Sequence, residues 1–395
     1  MRIRSSVLAV AGALAAAAPA AAAPAEPTLA GRALLPAAAT APAPFPGVPS
    51  TDPAPAPGST QPVGGFSALN DAPGKDTYYA MPDNGFGNKA NSRSFLLRVY
   101  RVHTDMATAR GGSGDVEILD WITLRDPDRK IPFRIVGEGT RERLLTGGDF
   151  DVESFRIARD GTLWFGEEFG PFLVHADATG KVLEAPIPLP DVKSPDYPAD
   201  HPAPFAGPAN LASSNGFEGM ALSKDGTTLY PALEGPVTGD DRTTRRMYAF
   251  DLGTRRYTDE RRTYRVADAS FLVSDLTALD AHRLVSLERD NFEGAAARHK
   301  RGFVFDLRTE SKREVVDLLS LRDPDAISPR GARAGDIGIG DPFSMPYVTI
   351  EAVLPTGGSR LAIVNDTNFA GRGRNASLPD DSDFIEVDVP GLRGR

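Results

Sequence analysis

Short runs of alternating apolar and polar residues, separated by tight turns, make up most of this chain. The clearest example spans residues 216–235, GFEGMALSKDGTTLYPALEG. Residues 219–222 and 227–233 show the pattern of β-strands, and the turn between them ends in Gly226, which favours a hairpin. Because a hairpin brings its open ends together, Glu218 and Glu234 are expected to lie close to each other.

The same order of acid, strand, turn and second strand occurs five times. The intervals between the copies are 86, 65, 57 and 76 residues, and their first positions are Ser67, Glu153, Glu218, Asp275 and Glu351. Several second strands are followed by related segments, such as DNGFG, EEFG, ERDNF and NDTNF. Repetition of short strands at this spacing is typical of a propeller. We therefore predict an all-β propeller of five or six four-stranded blades.

The last copy contains only a third strand, near residues 383–389, before the chain ends. A closed propeller has to cover the sheet edge that the missing strand would leave exposed. The Ala- and Pro-rich residues 26–63 contain one strand-like segment, Thr28–Leu35, with the sequence TLAGRALL. We predict that this segment completes the last blade, while residues 64–395 form the propeller domain.

The N-terminal residues 1–25 have the pattern of a secretory signal peptide. Arg2 and Arg4 precede a short apolar run and an Ala-rich stretch, which predicts cleavage near residues 22–25 and export without stable membrane insertion. The 395 residues include no Cys, so stability has to come from a large core or from bound ions. The net charge of −9 argues against nucleic acid as a partner. We expect a monomer that acts on a small molecule.

In a propeller, the start of each first strand and the end of each second strand open on the same face. The repeats therefore predict a ring of possible metal ligands around one mouth, with Glu168 and Asp290 beside it: Asp83, Glu153, Glu167, Glu218, Glu234, Asp275, Glu288, Glu351 and Asp366. Two such charges ~4 Å apart repel by about 4 kcal/mol at an effective dielectric constant of ~20. Oxygen ligands without Cys favour Ca²⁺, or Mg²⁺, as the neutralising ion. Alternatively, the acids only cap strand ends.

Basic residues occur at or just after the ends of the second strands. They are expected either to hold an anionic group such as phosphate or to form a solvated surface: Lys89, Arg93, Arg289, Arg372 and Arg374. The chain has no G-x-S-x-G, H-E-x-x-H or P-loop motif. We therefore assign catalysis to Glu218 and Glu153, acting beside a bound metal ion rather than through a Ser nucleophile.

Four stretches resemble the phytase-like family that is described by an esterase-like activity of phytase. They begin at Gly65, Phe150, Ser214 and Val364, and the longest reads GFSALNDAPGKDTYYAMPDNGFGNKANSRSFLLRVYRV. The resemblance implies a secreted β-propeller that hydrolyses phosphate or other esters. Our leading hypothesis is a secreted calcium-dependent phosphoester hydrolase. The alternatives are a lactonase or carboxylesterase on a metal-centred propeller, and a non-enzymatic, calcium-stabilised envelope binding protein.

Overall fold

The computed structural model describes residues 25–50, 56–202, 205, 207–369 and 371–394. The predicted signal peptide lies outside the described residues except for its last position. The described part contains one short 3-10 helix, Gly294–Ala296, and no α-helix. Its first three strands, which precede the first repeat, are β1 (Thr28–Leu35), β2 (Thr40–Pro42) and β3 (Thr60–Pro62). Strands β2 and β3 pair only with each other.

The remaining strands form units that follow one another along the chain. Unit 1 contains β4 (Ala68–Asp71), β5 (Thr77–Met81), β6 (Arg98–Asp105) and β7 (Asp115–Thr123). Unit 2 contains β8 (Val152–Ile157), β9 (Leu163–Glu167), β10 (Phe172–Ala176) and β11 (Ile187–Pro188). Unit 3 contains β12 (Phe217–Leu222), β13 (Thr228–Leu233), β14 (Thr244–Asp251) and β15 (Arg256–Arg265). Unit 4 contains β16 (Leu272–Ala278), β17 (Arg283–Arg289), β18 (Lys300–Asp306) and β19 (Lys312–Asp317). Unit 5 contains β20 (Ile350–Gly357), β21 (Arg360–Asn365) and β22 (Ser382–Asp388), and β1 is its fourth strand.

The first strands of the units contact one another in a closed cycle. Strand β4 contacts β8, β8 contacts β12, β12 contacts β16, β16 contacts β20, and β20 contacts β4 again. Five buried apolar clusters lie between consecutive units, so most strands of the interior are covered on both faces. This arrangement of antiparallel four-stranded sheets confirms the predicted all-β propeller architecture.

The predicted closing strand is also confirmed. Strand β1 pairs antiparallel with β22, from Thr28 opposite Asp388 to Leu35 opposite Ser382. On its other side, β1 joins unit 1 through a parallel bridge between Leu34 and Asp115 on β7. The N-terminal segment thus supplies the strand that the last repeat lacks, and it covers the edge that β22 would otherwise expose.

A buried ion-pair cluster anchors this closure. Arg32 on β1 donates two hydrogen bonds of 2.9 Å to the carboxylate of Asp383 on β22. Arg374 donates to the same carboxylate at 3.0 Å, and the Tyr347 hydroxyl donates at 2.8 Å. Although burial opposes the charge, the two guanidinium groups hold the pKa of Asp383 below its ordinary value. The cluster therefore remains ionised inside the fold.

We predict that Asp383→Asn destabilises the protein by about 3–5 kcal/mol, because it leaves two buried guanidinium groups without their anion. Thermal and denaturant unfolding would measure the change. The control is Asp120→Asn, which breaks the more exposed ion pair between Arg101 and Asp120 and should change stability by less than about 1 kcal/mol. Equal effects of the two substitutions would contradict a role for the cluster in closure.

Candidate functional site

A β-bulge at the start of the first strand positions one side chain of each unit near the central axis. In unit 2, Val152 pairs with Glu167 and Ser154 with Gly166, so that Glu153 is the extra residue between them. Glu218 and Glu351 are the extra residues in units 3 and 5. In unit 4 the extra residue is Ser274, and in unit 1 Ser67 and Ala68 both face Met81. A bulge redirects the side chain of its extra residue, and units 2 to 5 each have one at this position.

A second set of equivalent positions lies at, or just after, the end of the second strand of each unit. In units 2 to 5 each position directly follows the second-strand residue that pairs with the residue just before the bulge, and in unit 1 it lies two residues after Met81. Its members are Asp83, Glu168, Glu234, Arg289 and Asp366. All five line one cavity. Four units thus contribute an acid at this position, whereas unit 4 contributes an arginine.

The cavity has a volume of about 550 Å³. It is lined by eight carboxylates, of which Asp83 is half-buried and the others are buried: Asp83, Asp151, Glu153, Glu168, Glu218, Glu234, Glu351 and Asp366. The other uncharged polar side chains are four amides, Asn84, Asn215, Asn291 and Asn368, and three hydroxyl groups, Ser214, Ser270 and Thr349. Among the described lining residues, Arg289 has the single basic side chain.

Two groups of three carboxylates are close enough to share an ion. One consists of Asp83, Asp151 and Glu153, and the other of Glu153, Glu168 and Glu218; within each group, one oxygen from every residue lies within 4.8 Å of the others. Three buried oxygens in these groups have no hydrogen-bond partner, namely Asp151 Oδ1, Glu168 Oε1 and Glu218 Oε1. Their residues are only 3%, 3% and 4% exposed. Buried polar atoms are rarely left without a partner, so these oxygens are positions at which a cation or a proton could be held.

Burial and mutual repulsion raise the pKa values of the carboxyl groups that line the cavity. Burial, followed by the neighbouring charges of Glu218 and Asp151, raises the pKa of Glu153 well above its ordinary value. Burial raises the pKa of Asp151 to about 6, and burial with the charge of Asp366 raises that of Glu351 to about 8. Several of these carboxyl groups are therefore protonated near neutral pH unless a cation neutralises them.

The guanidinium group of Arg289 lies close to three carboxylates from units 3 and 5. Its Nη2 atom is 2.8 Å from Glu234 Oε1, 3.5 Å from Glu351 Oε1 and 3.8 Å from Glu218 Oε1. The guanidinium also donates to the side-chain oxygen of Asn291. Burial disfavours the charge of Arg289, but the carboxylates of Glu234 and Glu351 raise its pKa above the ordinary value. The cavity therefore has a permanent cation on the side of unit 4.

Six of the nine predicted metal ligands line this cavity, and three do not. Glu167 instead accepts hydrogen bonds of 2.8 Å from the backbone N–H groups of Phe169, Gly170 and Phe172. The correct position is Glu168, one residue later. Successive strand side chains point to opposite faces, so a shift of one residue removes a side chain from the cavity.

Asp275 and Glu288 of unit 4 miss the cavity for the same reason, a shift of one residue. In unit 4 the bulged residue is Ser274, and Asp275 binds Arg156 at 3.1 Å and accepts a hydrogen bond from the Val353 N–H. Glu288 contacts the side chains of Tyr264, His299 and Lys312, and the next residue, Arg289, reaches the cavity. Asp290, expected at the mouth, instead binds Lys300 at 2.8 Å and the backbone N–H groups of the loop that follows β17.

Of the five predicted substrate-binding residues, only Arg289 lines the cavity. Arg374 belongs to the buried Asp383 cluster, and Lys89 donates to the Asp196 carbonyl while packing over the Phe169 ring. Arg372 is exposed, and Arg93 is half-buried beside Gly148. Proximity in sequence to a second-strand end therefore did not predict proximity to the cavity.

Asp151 is the functional candidate that the repeat pattern missed. It lies two residues before Glu153, in the segment DFDVE, and its backbone carbonyl accepts a hydrogen bond from the Glu168 N–H. In extended chain, residues two apart project from the same face, so the spacing of Asp151 and Glu153 was an available signal. The other repeats have no acid at this position, which is why comparing the copies did not reveal it.

Comparison with known proteins identifies the family. The profile of the phytase-like family, described as "Esterase-like activity of phytase", matches residues 61–369. The chain belongs to the phytase-like family. A relative from Arthroderma benhamiae, called an "Uncharacterized secreted protein", is 27% identical over 316 residues, which cover 61% of this chain and 58% of the relative.

Two solved structures show a more distant likeness to this phytase-like protein. A GH43 β-1,3-galactosidase is 9% identical with a TM-score of 0.44, and the match covers 87% of this chain and 59% of that chain. A luciferin-regenerating enzyme is 12% identical with a TM-score of 0.36, and the match covers 82% and 77% of the two chains. These scores are too low to define the fold, which rests on the strand pairing. Across the part of the chain that the structure describes, no helix has the length and apolar character needed to cross a membrane.

We predict that the metal-free phytase-like protein loses stability between about pH 4.5 and pH 8. In the folded state the pKa of Glu351 is raised from 4.5 to about 8, so its stabilising contribution is complete below 4.5 and is lost as the pH rises through 8. Melting temperatures of chelator-treated protein should fall by several degrees across this window. The fall should be smaller in Glu351→Gln, and a constant or rising melting temperature would contradict the carboxylate repulsion described above.

Proposed function

We propose that this protein is a secreted, calcium-dependent hydrolase of phosphoester substrates. The observation that carries the proposal is the set of buried carboxylates with unpartnered oxygens, gathered in one cavity around a single arginine. The family's description names an esterase-like activity, which agrees with ester hydrolysis. Secretion is supported by the Ala-rich N-terminus and by the description of the fungal relative.

The chemistry of the lining favours a hard divalent cation. The candidate ligands are all oxygens, and Ca²⁺ accepts six to eight such ligands in flexible geometry, including carboxylates and amide carbonyls. Asp83, Asp151, Glu153, Glu168 and Glu218 would hold the cation, with the nearby amide oxygens available to complete its coordination. When bound, such an ion would polarise the ester and lower the pKa of a coordinated water.

Arg289 favours an anionic substrate over a neutral one. It occupies the position that carries an acid in the other four units, so units 1, 2, 3 and 5 contribute carboxylates to the cavity and unit 4 contributes a guanidinium. A guanidinium presents several N–H donors in a planar fork that fits phosphate oxygens. Its Nε atom is buried and has no hydrogen-bond partner, so a donor remains available for a substrate oxygen.

Glu218 is the carboxylate best suited to exchange a proton during hydrolysis. It belongs to one of the acid groups, has an unpartnered oxygen and lies 3.8 Å from Arg289. A substrate group held by Arg289 would therefore lie beside it. Burial, followed by the charges of Glu234 and Glu351, raises the pKa of Glu218 well above its ordinary value, so a bound cation would be needed to keep Glu218 ionised as a proton acceptor near neutral pH. Glu153 would help to fix the position of the same group.

We expect hydrolysis of phosphoesters by the purified chain to stop on treatment with EGTA and to return with Ca²⁺. Glu218→Gln should lower the Ca²⁺-dependent kcat by at least ~100-fold, because it removes the proton acceptor while keeping the size of the side chain. The matched control is Glu117→Gln, an exposed residue on β7. A panel of phosphomonoester, phosphodiester, phytate and lactone substrates would test the substrate class. Turnover of lactones alone, or none in the panel, would overturn the phosphoester assignment.

A second prediction concerns substrate recognition. Arg289→Met should raise KM for an anionic ester by about 10- to 100-fold, since a hydrogen bond to a charged group contributes about 1.5–3 kcal/mol. Arg289→Lys should recover part of the loss. Arg372→Met is the control, because Arg372 is exposed and does not line the cavity. An unchanged KM in Arg289→Met would remove Arg289 from the binding site.

A further inference from the structure

We infer that the cavity holds two divalent cations that share the carboxylate of Glu153. This inference rests on the proposed function, and it specifies the number of ions and the residue that joins them. The observation behind it is the overlap of the two acid groups. Asp83 and Asp151 are close to Glu153 on one side, Glu168 and Glu218 are close to it on the other, and Glu153 is the single member common to both groups.

Each of the two groups independently lacks a ligand. In the first group the unpartnered buried oxygen is Asp151 Oδ1, and in the second the unpartnered oxygens are Glu168 Oε1 and Glu218 Oε1. One ion placed in either group would leave the other group's oxygen buried and unsatisfied. Glu153 has two carboxylate oxygens, so it can contribute one to each ion, and bridged cations in two-metal sites lie about 3.5–4 Å apart.

The charges of the two groups also favour two cations over one. The five carboxylates of the two groups carry five negative charges when ionised, so one divalent cation leaves an excess of three and two leave an excess of one. The groups also bridge different elements. The first connects the end of β5 to the start of β8, and the second connects the end of β9 to the bulge of β12. One ion would thus join units 1 and 2, and the other would join units 2 and 3.

The side of the cavity at unit 4 lacks such a group. Unit 4 contributes Arg289 to the lining, and its bulged residue is Ser274. Among the described residues, no third set of three carboxylates has ligand atoms this close together. The two cations would therefore lie on the side of units 1 to 3, and Arg289, 3.8 Å from Glu218 Oε1, would lie next to the second cation's ligands, where it could contact an anionic substrate.

Calcium binding to the full chain tests the inference directly. After chelator treatment, equilibrium dialysis and calorimetric titration with Ca²⁺ should give two ions per chain. Asp83→Asn should remove one site and leave the other, and so should Glu218→Gln. Glu153→Gln should weaken both sites by at least tenfold.

Glu351→Gln is the charge-matched control, since Glu351 lines the same cavity but belongs to neither group. It should retain two ions per chain. Circular dichroism and metal-free melting temperatures would confirm that each variant folds. If Glu153→Gln does not fold, the independent loss of one ion in Asp83→Asn and in Glu218→Gln carries the test.

One ion per chain in the unmodified protein would overturn the inference. So would loss of only one ion in folded Glu153→Gln, or equal weakening by Glu351→Gln, which would show that only the overall field matters. These results are separable from the proposed function. Two bound ions without ester hydrolysis would overturn the hydrolase and leave the two-cation centre, whereas calcium-dependent hydrolysis with one ion would do the reverse.

Discussion

Pairing of β1 with β22 holds the two ends of the chain together in a ring, and the cavity exists only because that ring is closed. The first strands of the five units touch in a cycle, and the bulged residues Glu153, Glu218 and Glu351 reach the same cavity. The ion pairs among Arg32, Arg374 and Asp383 lie at the point of closure. Separation of this pair of strands would move the acids of unit 5 away from those of unit 1.

Closure also brings the carboxylates of different units close enough to repel one another. Apolar packing between the units forces carboxylates from four of them into one buried space, where their mutual repulsion opposes folding. Burial raises the pKa values of Asp151 and Glu351, and for Glu351 the charge of Asp366 adds to that effect, so protonation partly relieves the repulsion. Bound cations would relieve it more fully and would also join neighbouring units. Stability and chemistry would then depend on the same ions.

Small departures from the repeat turn a symmetric ring into a polarised site. Serine replaces the acid at the bulge in units 1 and 4, and arginine replaces it at the second-strand end of unit 4. Unit 2 adds Asp151, which has no counterpart in the other repeats. These changes concentrate negative charge beside unit 2 and leave a positive group on unit 4. The repeated units form the scaffold, and the residues that depart from the repeat make the distribution of charge in the cavity uneven.

The sequence by itself determined the all-β architecture, the strand that closes it and most of the acids that meet at the axis. Turn residues and alternation mark the hairpins, and the missing fourth strand of the last repeat indicates a partner for β22. What the sequence did not determine is the register at the bulges. One unpaired residue reverses which side chains face inward, so Ser274 replaces Asp275, Glu168 replaces Glu167, and Arg289 replaces Glu288. The positions of the basic residues were decided by tertiary structure alone, because Arg289, the last residue of β17, reaches the cavity, whereas Arg374, in the segment after β21, is buried in the closure.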